Sequence, residues 1–77
     1  MSIMLRGVVE SISDDPEGKR VAVAFTKFAA IYYLSKEHSR FDDWLGLLIS
    51  SRDHGEPVEF DYRDEGQELT AIKAIIP

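Results

Sequence analysis

Few side chains in this sequence have the types and spacing for chemistry. Its histidines are His38 and His54. A helix is expected between them, which sets them roughly 20 Å apart and denies them a shared metal. His38 and Asp42 have the i, i+4 spacing of a ligand pair, but two ligands do not make a site. His54 falls at the expected helix C-terminus, where the dipole favours its charged form. The carboxylate pairs Asp14/Asp15 and Asp42/Asp43 belong to a turn and a helix start. Neither fixes the carboxylate separation that glycoside hydrolysis needs. Ser35, Ser39, Ser50 and Ser51 lack a nucleophile-elbow context, and Ser39 reads better as a helix cap. The glycines match neither phosphate-loop pattern. Cysteine is absent, which excludes disulfides, thiolate zinc sites and thiol nucleophiles. The chain is therefore expected not to be an enzyme and to need no metal or cofactor.

Binding chemistry is better represented. Lys19, Arg20, Lys27 and Lys36 lie close in sequence to Tyr32 and Tyr33. Cations beside an exposed aromatic ring are the minimum for holding single-stranded nucleic acid, through phosphate contacts and base stacking. Two acidic stretches oppose that use: Asp14-Asp15-Pro16-Glu17 and Asp64-Glu65-Gly66-Gln67-Glu68. The net charge of -5 opposes long-range steering of a polyanion as well. Residues 37–77 carry ten acidic and four basic side chains, against four and five in residues 1–36.

Five strands and one helix are expected to position these groups. Residues 3–12 read as a first strand, interrupted near Gly7–Val9 by a bulge or sharp bend. Pro16 and Gly18 mark a turn. From Arg20 to Phe25 the alternation is clean: Val21, Val23 and Phe25 point one way, and Arg20, Ala22 and Ala24 the other. The apolar run continues to Leu34. A straight strand of that length would span roughly 46 Å, so the chain must turn near Thr26-Lys27-Phe28. Residues 29–34 read as a third strand, with a helix from near residue 26 as the rival reading. Residues 39–53 read as a helix with Ser39 as its cap and Gly55 as its stop. Its apolar stripe is Phe41, Trp44, Leu45, Leu48, Ile49 and Arg52, and Trp44, Leu45 and Leu48 are expected to be buried. Gly46 within it implies a close packing contact. Val58 to Arg63 and Leu69 to Ile76 close the chain as a hairpin.

With 77 residues, 44% of them hydrophobic and 30% charged, the chain has room for one domain over residues 1–77. Three strands, a helix and two strands is the element order of the OB-fold, a five-stranded Greek-key barrel with a helix between strands three and four. The rival fold is an α+β sheet. The run Tyr32-Tyr33-Leu34-Ser35, then Glu37-His38, Phe41, Leu45, Leu47, Leu48, Gly55, Pro57, Val58 and a late Ile resembles small uncharacterised bacterial OB-fold proteins. Their topology is similar to that of the receptor-binding B subunits of pentameric toxins. The resemblance covers residues 30–76 and is one of core and turns, so what it implies is the fold; glycan binding follows only by analogy.

In such a barrel the outer face of strands two and three is the usual ligand surface. Arg20, Ala22, Ala24 and Thr26 would line it, with Lys27 nearby. Tyr32 and Tyr33 are adjacent and must point oppositely, so one of them faces outward. A small, weakly polar face of this kind suits a protein interface. The leading expectation is a non-catalytic interaction module, binding a protein partner or a second copy through this face. Single-stranded nucleic acid, or glycan, is the alternative. No apolar run reaches the roughly 18 residues of a membrane span. Met1 to Arg6 has no leader-like pattern, so a cytoplasmic location is expected.

Overall fold

The computed structural model describes residues 4–75. Its elements are β1 (Leu5–Gly7), β2 (Val9–Asp14), β3 (Arg20–Phe25), β4 (Ile31–Ser35), α1 (Phe41–His54), β5 (Val58–Arg63) and β6 (Glu68–Ala74). The protein is mainly β with one helix, and the helix stands where it was expected, before the closing hairpin. There are six strands rather than five, because the first one breaks at Val8. The cause is local crowding. A Cβ on Gly7 would stand 3.1 Å from the Phe25 ring and 3.2 Å from that of Phe28. The Val8 carbonyl accepts hydrogen bonds from the Thr26 backbone N–H at 2.8 Å and the Thr26 hydroxyl at 2.7 Å. The chain therefore bends around Phe25 instead of running straight. Ile3 and Ile76, the outer limits expected for the first and last strands, lie outside the described residues.

All six strands form one sheet in the order β1-β5-β6-β4-β3-β2. Every neighbouring pair is antiparallel except β4 and β6, which run parallel with Tyr33 opposite Glu68. β1 and β2 stand at the two ends of this order although Val8 alone separates them in sequence.

The turns follow their residue types. The Gly18 N–H donates to the Asp15 carbonyl at 2.8 Å, with Pro16 pre-setting the turn and Gly18 at φ 73°. Between β3 and β4, Phe28 N–H donates to the Phe25 carbonyl at 3.2 Å, and Lys27 takes φ 69°. That turn was unmarked in the sequence because a lysine occupies the left-handed position that glycine usually fills.

Three expectations about α1 are corrected: its cap, its buried face and the contact at Gly46. Ser39 does not cap it; Arg40 is the N-cap and no side chain bonds the first turn. His38 Nδ1 instead accepts the Arg40 N–H at 3.0 Å, and its ring packs 4.3 Å from that of Trp44. The buried face is Trp44, Leu48 and Ser51, with Phe41, Leu45 and Leu47 half-buried against the core. Ile49 and Arg52, which share the stripe's spacing, face solvent. At the far end Gly55 takes φ 68° and donates to the Ser51 carbonyl at 2.8 Å, as its residue type predicts.

Gly46 has nothing within 4 Å of where a Cβ would stand, so the packing contact expected there is not made. The glycine then brings only its backbone entropy to the helix. Gly46→Ala should raise stability by about 0.5–1 kcal/mol, read as a higher urea midpoint at unchanged slope. A lower midpoint would mean that something packs on that position.

The core is built on a stack. The Phe25 and Phe60 rings lie 4.1 Å apart with 7° between their planes. Phe28 and Tyr32 meet them edge-on, and Val21, Val23, Leu34, Leu48 and Leu69 complete the packing. Among the described residues no helix is long and apolar enough to cross a membrane.

Candidate functional site

The strand phase on β3 is as the alternation requires. Val21, Val23 and Phe25 are buried, and Arg20, Ala22 and Ala24 point outward. Cross-strand partners in an antiparallel ladder share a face. Ala22 lies between Ser13 on β2 and Tyr33 on β4, and Ala24 between Ser11 and Ile31. The outer face is thus a patch of two serines, two alanines, an isoleucine and a tyrosine. Ile31 is 40% exposed, one of the two large hydrophobic side chains most open to water among the described residues. Arg20 borders the patch at its Tyr33 end, with its guanidinium over that ring, and none of the six residues is itself charged.

Pairing with β3 also decides which tyrosine faces out. Tyr33 stands opposite Ala22 on the outer face, half-buried. Tyr32 stands opposite Val23 and is 4% exposed, so it is the inward tyrosine of the two and does not line the outer face as the expected site had it. Its ring lies 5.7 Å from Phe25, 5.3 Å from Phe60 and 4.8 Å from Tyr62. Burial pushes its hydroxyl pKa up, helped by the neighbouring Tyr62.

The cations do not gather. Arg20 lies over the Tyr33 ring, its guanidinium carbon 3.9 Å from the centroid. The Asp15 carboxylate accepts from Arg20 Nε and so fixes the guanidinium there. That hydrogen bond, together with the Glu17 N–H, holds the Asp15 carboxyl below its usual range. Lys36 pairs with Asp14 at 3.2 Å. Lys27 lies beyond the opposite end of β3 from Arg20 and lines a separate groove with Arg6, Val8 and Phe28. The expected grouping of Arg20, Lys27 and an exposed tyrosine is therefore broken up: Arg20 and Tyr33 stay together and Lys27 leaves. Beside Tyr33, a cavity of about 320 Å³ is lined by Lys19 and Arg20 together with Glu37, Glu65 and Glu68.

One buried polar residue escaped the sequence reading. Ser51 is 1% exposed. Its hydroxyl accepts the Val9 N–H at 3.0 Å and donates to the Glu56 carbonyl at 2.5 Å. It ties the helix end to the start of β2 and to the approach to β5. Nothing in its neighbours distinguishes it from Ser50, which is exposed. Among the described residues no three His, Asp or Glu side chains come together as a metal site.

A mainly β domain with one helix, carrying a small-residue outer face, is the class that fold and surface define. Comparison of the fold with solved structures finds pro-protein-glutaminase, with a TM-score of 0.80 at 17% identity over 94% of this chain. A mutant of that precursor matches with a TM-score of 0.81 at 15% identity, again over 94% of this chain. The chain spans a quarter of the length of each, covering 25% of theirs. At such identity the likeness is one of fold. No family model matches the sequence, and no curated protein matches it. The expectation that this chain is no enzyme is corrected by the fold comparison. Its fold occurs inside an enzyme precursor, so the lack of a recognisable catalytic motif does not set it apart from enzymes.

Proposed function

We propose that the chain is a protein-interaction module whose working surface is the outer face of β2, β3 and β4. The observation that carries the reading is the patch of Ser11, Ser13, Ala22, Ala24, Ile31 and Tyr33, built of mostly small, uncharged residues with Arg20 at its Tyr33 end. Two copies each carrying a net charge of -5 repel over most of their surfaces. This patch lets them meet without like charges facing one another, so a second copy is the occupant we assign.

The same reading takes β1 and β2 as one bent strand. They end the sheet order on opposite sides and are joined through Val8, and on this reading the bent strand closes the sheet on itself. Counted that way there are five strands, with the third and fifth parallel, in the OB-type circuit. Closure leaves the outer face, rather than a free strand edge, as the surface to be covered.

Nucleic acid is disfavoured on the same face. Arg20 already covers the Tyr33 ring and is itself bound to Asp15, so neither the stacking surface nor the cation is free. Light scattering at about 100 μM should report a mass above the monomer's. Ala24→Arg should return it to monomer, weakening association at least about tenfold, because the new charge would have to be desolvated. Circular dichroism should stay unchanged, since position 24 points away from the core. A monomer at that concentration would sink the reading. Micromolar binding to an oligonucleotide, strengthened by the same Arg, would put the nucleic-acid alternative in its place.

A further inference from the structure

A groove of about 450 Å³ opens where β1 gives way to β2, at the other end of β3 from the Arg20–Tyr33 pair. Its floor is apolar: Gly7, Val8, Phe28 and the Pro57 ring. Gly7 belongs there because a Cβ would press on Phe25 and Phe28. Both charged residues of the lining, Arg6 and Lys27, are cations, in a chain with a net charge of -5. Arg6 is 70% exposed and meets Glu59 at 3.6 Å, a loose surface pair. Lys27 makes no ion pair among the described residues. Its backbone is also held at φ 69°, a left-handed conformation that a lysine adopts only under constraint from its surroundings.

An apolar floor with two cations beside it calls for a ligand that carries a carboxylate next to an apolar group. We propose that the groove holds the C-terminal residue of a partner polypeptide. The apolar side chain would lie on Phe28, Val8 and Pro57, and the terminal carboxylate would meet Lys27 and Arg6. An internal Asp or Glu carries its carboxylate at the end of its own side chain, on a different Cα from any apolar neighbour. A long acyl chain wants an enclosed cavity, whereas this groove is open to solvent along one side. The C-terminus of a chain puts both features on neighbouring atoms and leaves the rest of the partner free to pass outward.

The test is an amide-resolved NMR titration of the whole chain with three probes. They are acetyl-Gly-Ser-Val-Phe with a free carboxylate, the same peptide with a C-terminal amide, and octanoate. The free peptide should bind in the sub-millimolar range, shifting the amides of Gly7, Val8, Thr26, Lys27 and Phe28. Amidation should weaken it about fivefold or more, since a charge-assisted contact is lost. Lys27→Glu should weaken it about threefold or more; that side chain is exposed, so unchanged core signals would show the fold intact. Equal binding of the amide, or shifts centred on Ala22 and Ala24, would overturn the proposal. So would octanoate binding as tightly as the peptide, which would make the site one for small carboxylates. No binding at about 5 mM would overturn it too. Loss of self-association in Ala24→Arg is read separately, so the two surfaces fail or stand independently.

Discussion

Phe60→Ala should lower stability by about 3–5 kcal/mol and leave the protein largely unfolded at modest urea concentrations. Phe60 is fully buried, lies face-on to Phe25 at 4.1 Å, and is met edge-on by Phe28 and Tyr32. Its strand pairs on both sides, with Leu5 opposite it on β1 and Ile72 on β6. Neighbours held from two directions cannot collapse into the space the ring leaves, so the cavity penalty adds to the lost burial. Stacked and edge-on aromatic contacts contribute beyond burial. A domain of this length has a total stability of roughly 4–11 kcal/mol, so one substitution removes much of it. Phe60→Leu, which keeps most of the volume, should lose about 1–2 kcal/mol. Equilibrium urea melts decide the matter. A loss below about 1 kcal/mol for the alanine variant would mean that the ring is not packed against Phe25 in the core.

How much of this was legible beforehand depends on how locally each feature is determined. The phase of β3 was, because Val21, Val23 and Phe25 alternate without exception against Arg20, Ala22 and Ala24. The Asp15–Gly18 turn and the Gly55 stop were, because proline and glycine act on their own backbone. The choice between Tyr32 and Tyr33 was not, since both are β-formers of similar bulk. Pairing of Tyr32 with Val23 and its place among Phe25, Phe60 and Tyr62 settle it, and those contacts are non-local. The helix phase was half legible. Trp44 and Leu48 belong to the buried face on any reading, but the 3–4 spacing fits either Ile49 and Arg52 or Leu47 and Ser51 beside them. The sheet makes the choice by offering Val9 N–H to a hydroxyl at position 51. For the site, the alternation located Ala22 and Ala24 but could not show that β2 adds Ser11 and Ser13 to the same patch. Nor could it separate Arg20 from Lys27, which sequence distance makes neighbours and the length of β3 holds apart.

Ser51→Ala should cost about 2–4 kcal/mol, more than removing most core methyl groups, although it deletes a single oxygen. That oxygen accepts from Val9 N–H and donates to the Glu56 carbonyl, across 42 residues in one direction and five in the other. With the hydroxyl gone, the buried Val9 N–H remains without its partner, whereas the carbonyl of exposed Glu56 can turn to water. The stranded N–H costs about 1–3 kcal/mol, and loss of the second hydrogen bond adds about 0.5–1.5 kcal/mol. Hydrogen exchange gives the specific readout: the Val9 amide should lose protection far beyond the global drop in stability, whereas Leu69, on the opposite hairpin, should follow the global value. A variant within about 0.5 kcal/mol of the parent, with Val9 still protected, would mean that this clamp is not made in solution. The position matters for function as well as for stability. Val9 opens β2, so the Ser51 clamp sets where Ser11 and Ser13 fall on the outer face. It also fixes the Gly7–Val8 corner that floors the groove. Loosening one buried serine should therefore weaken both the self-association proposed for the outer face and the peptide binding proposed for the groove, with neither surface directly touched.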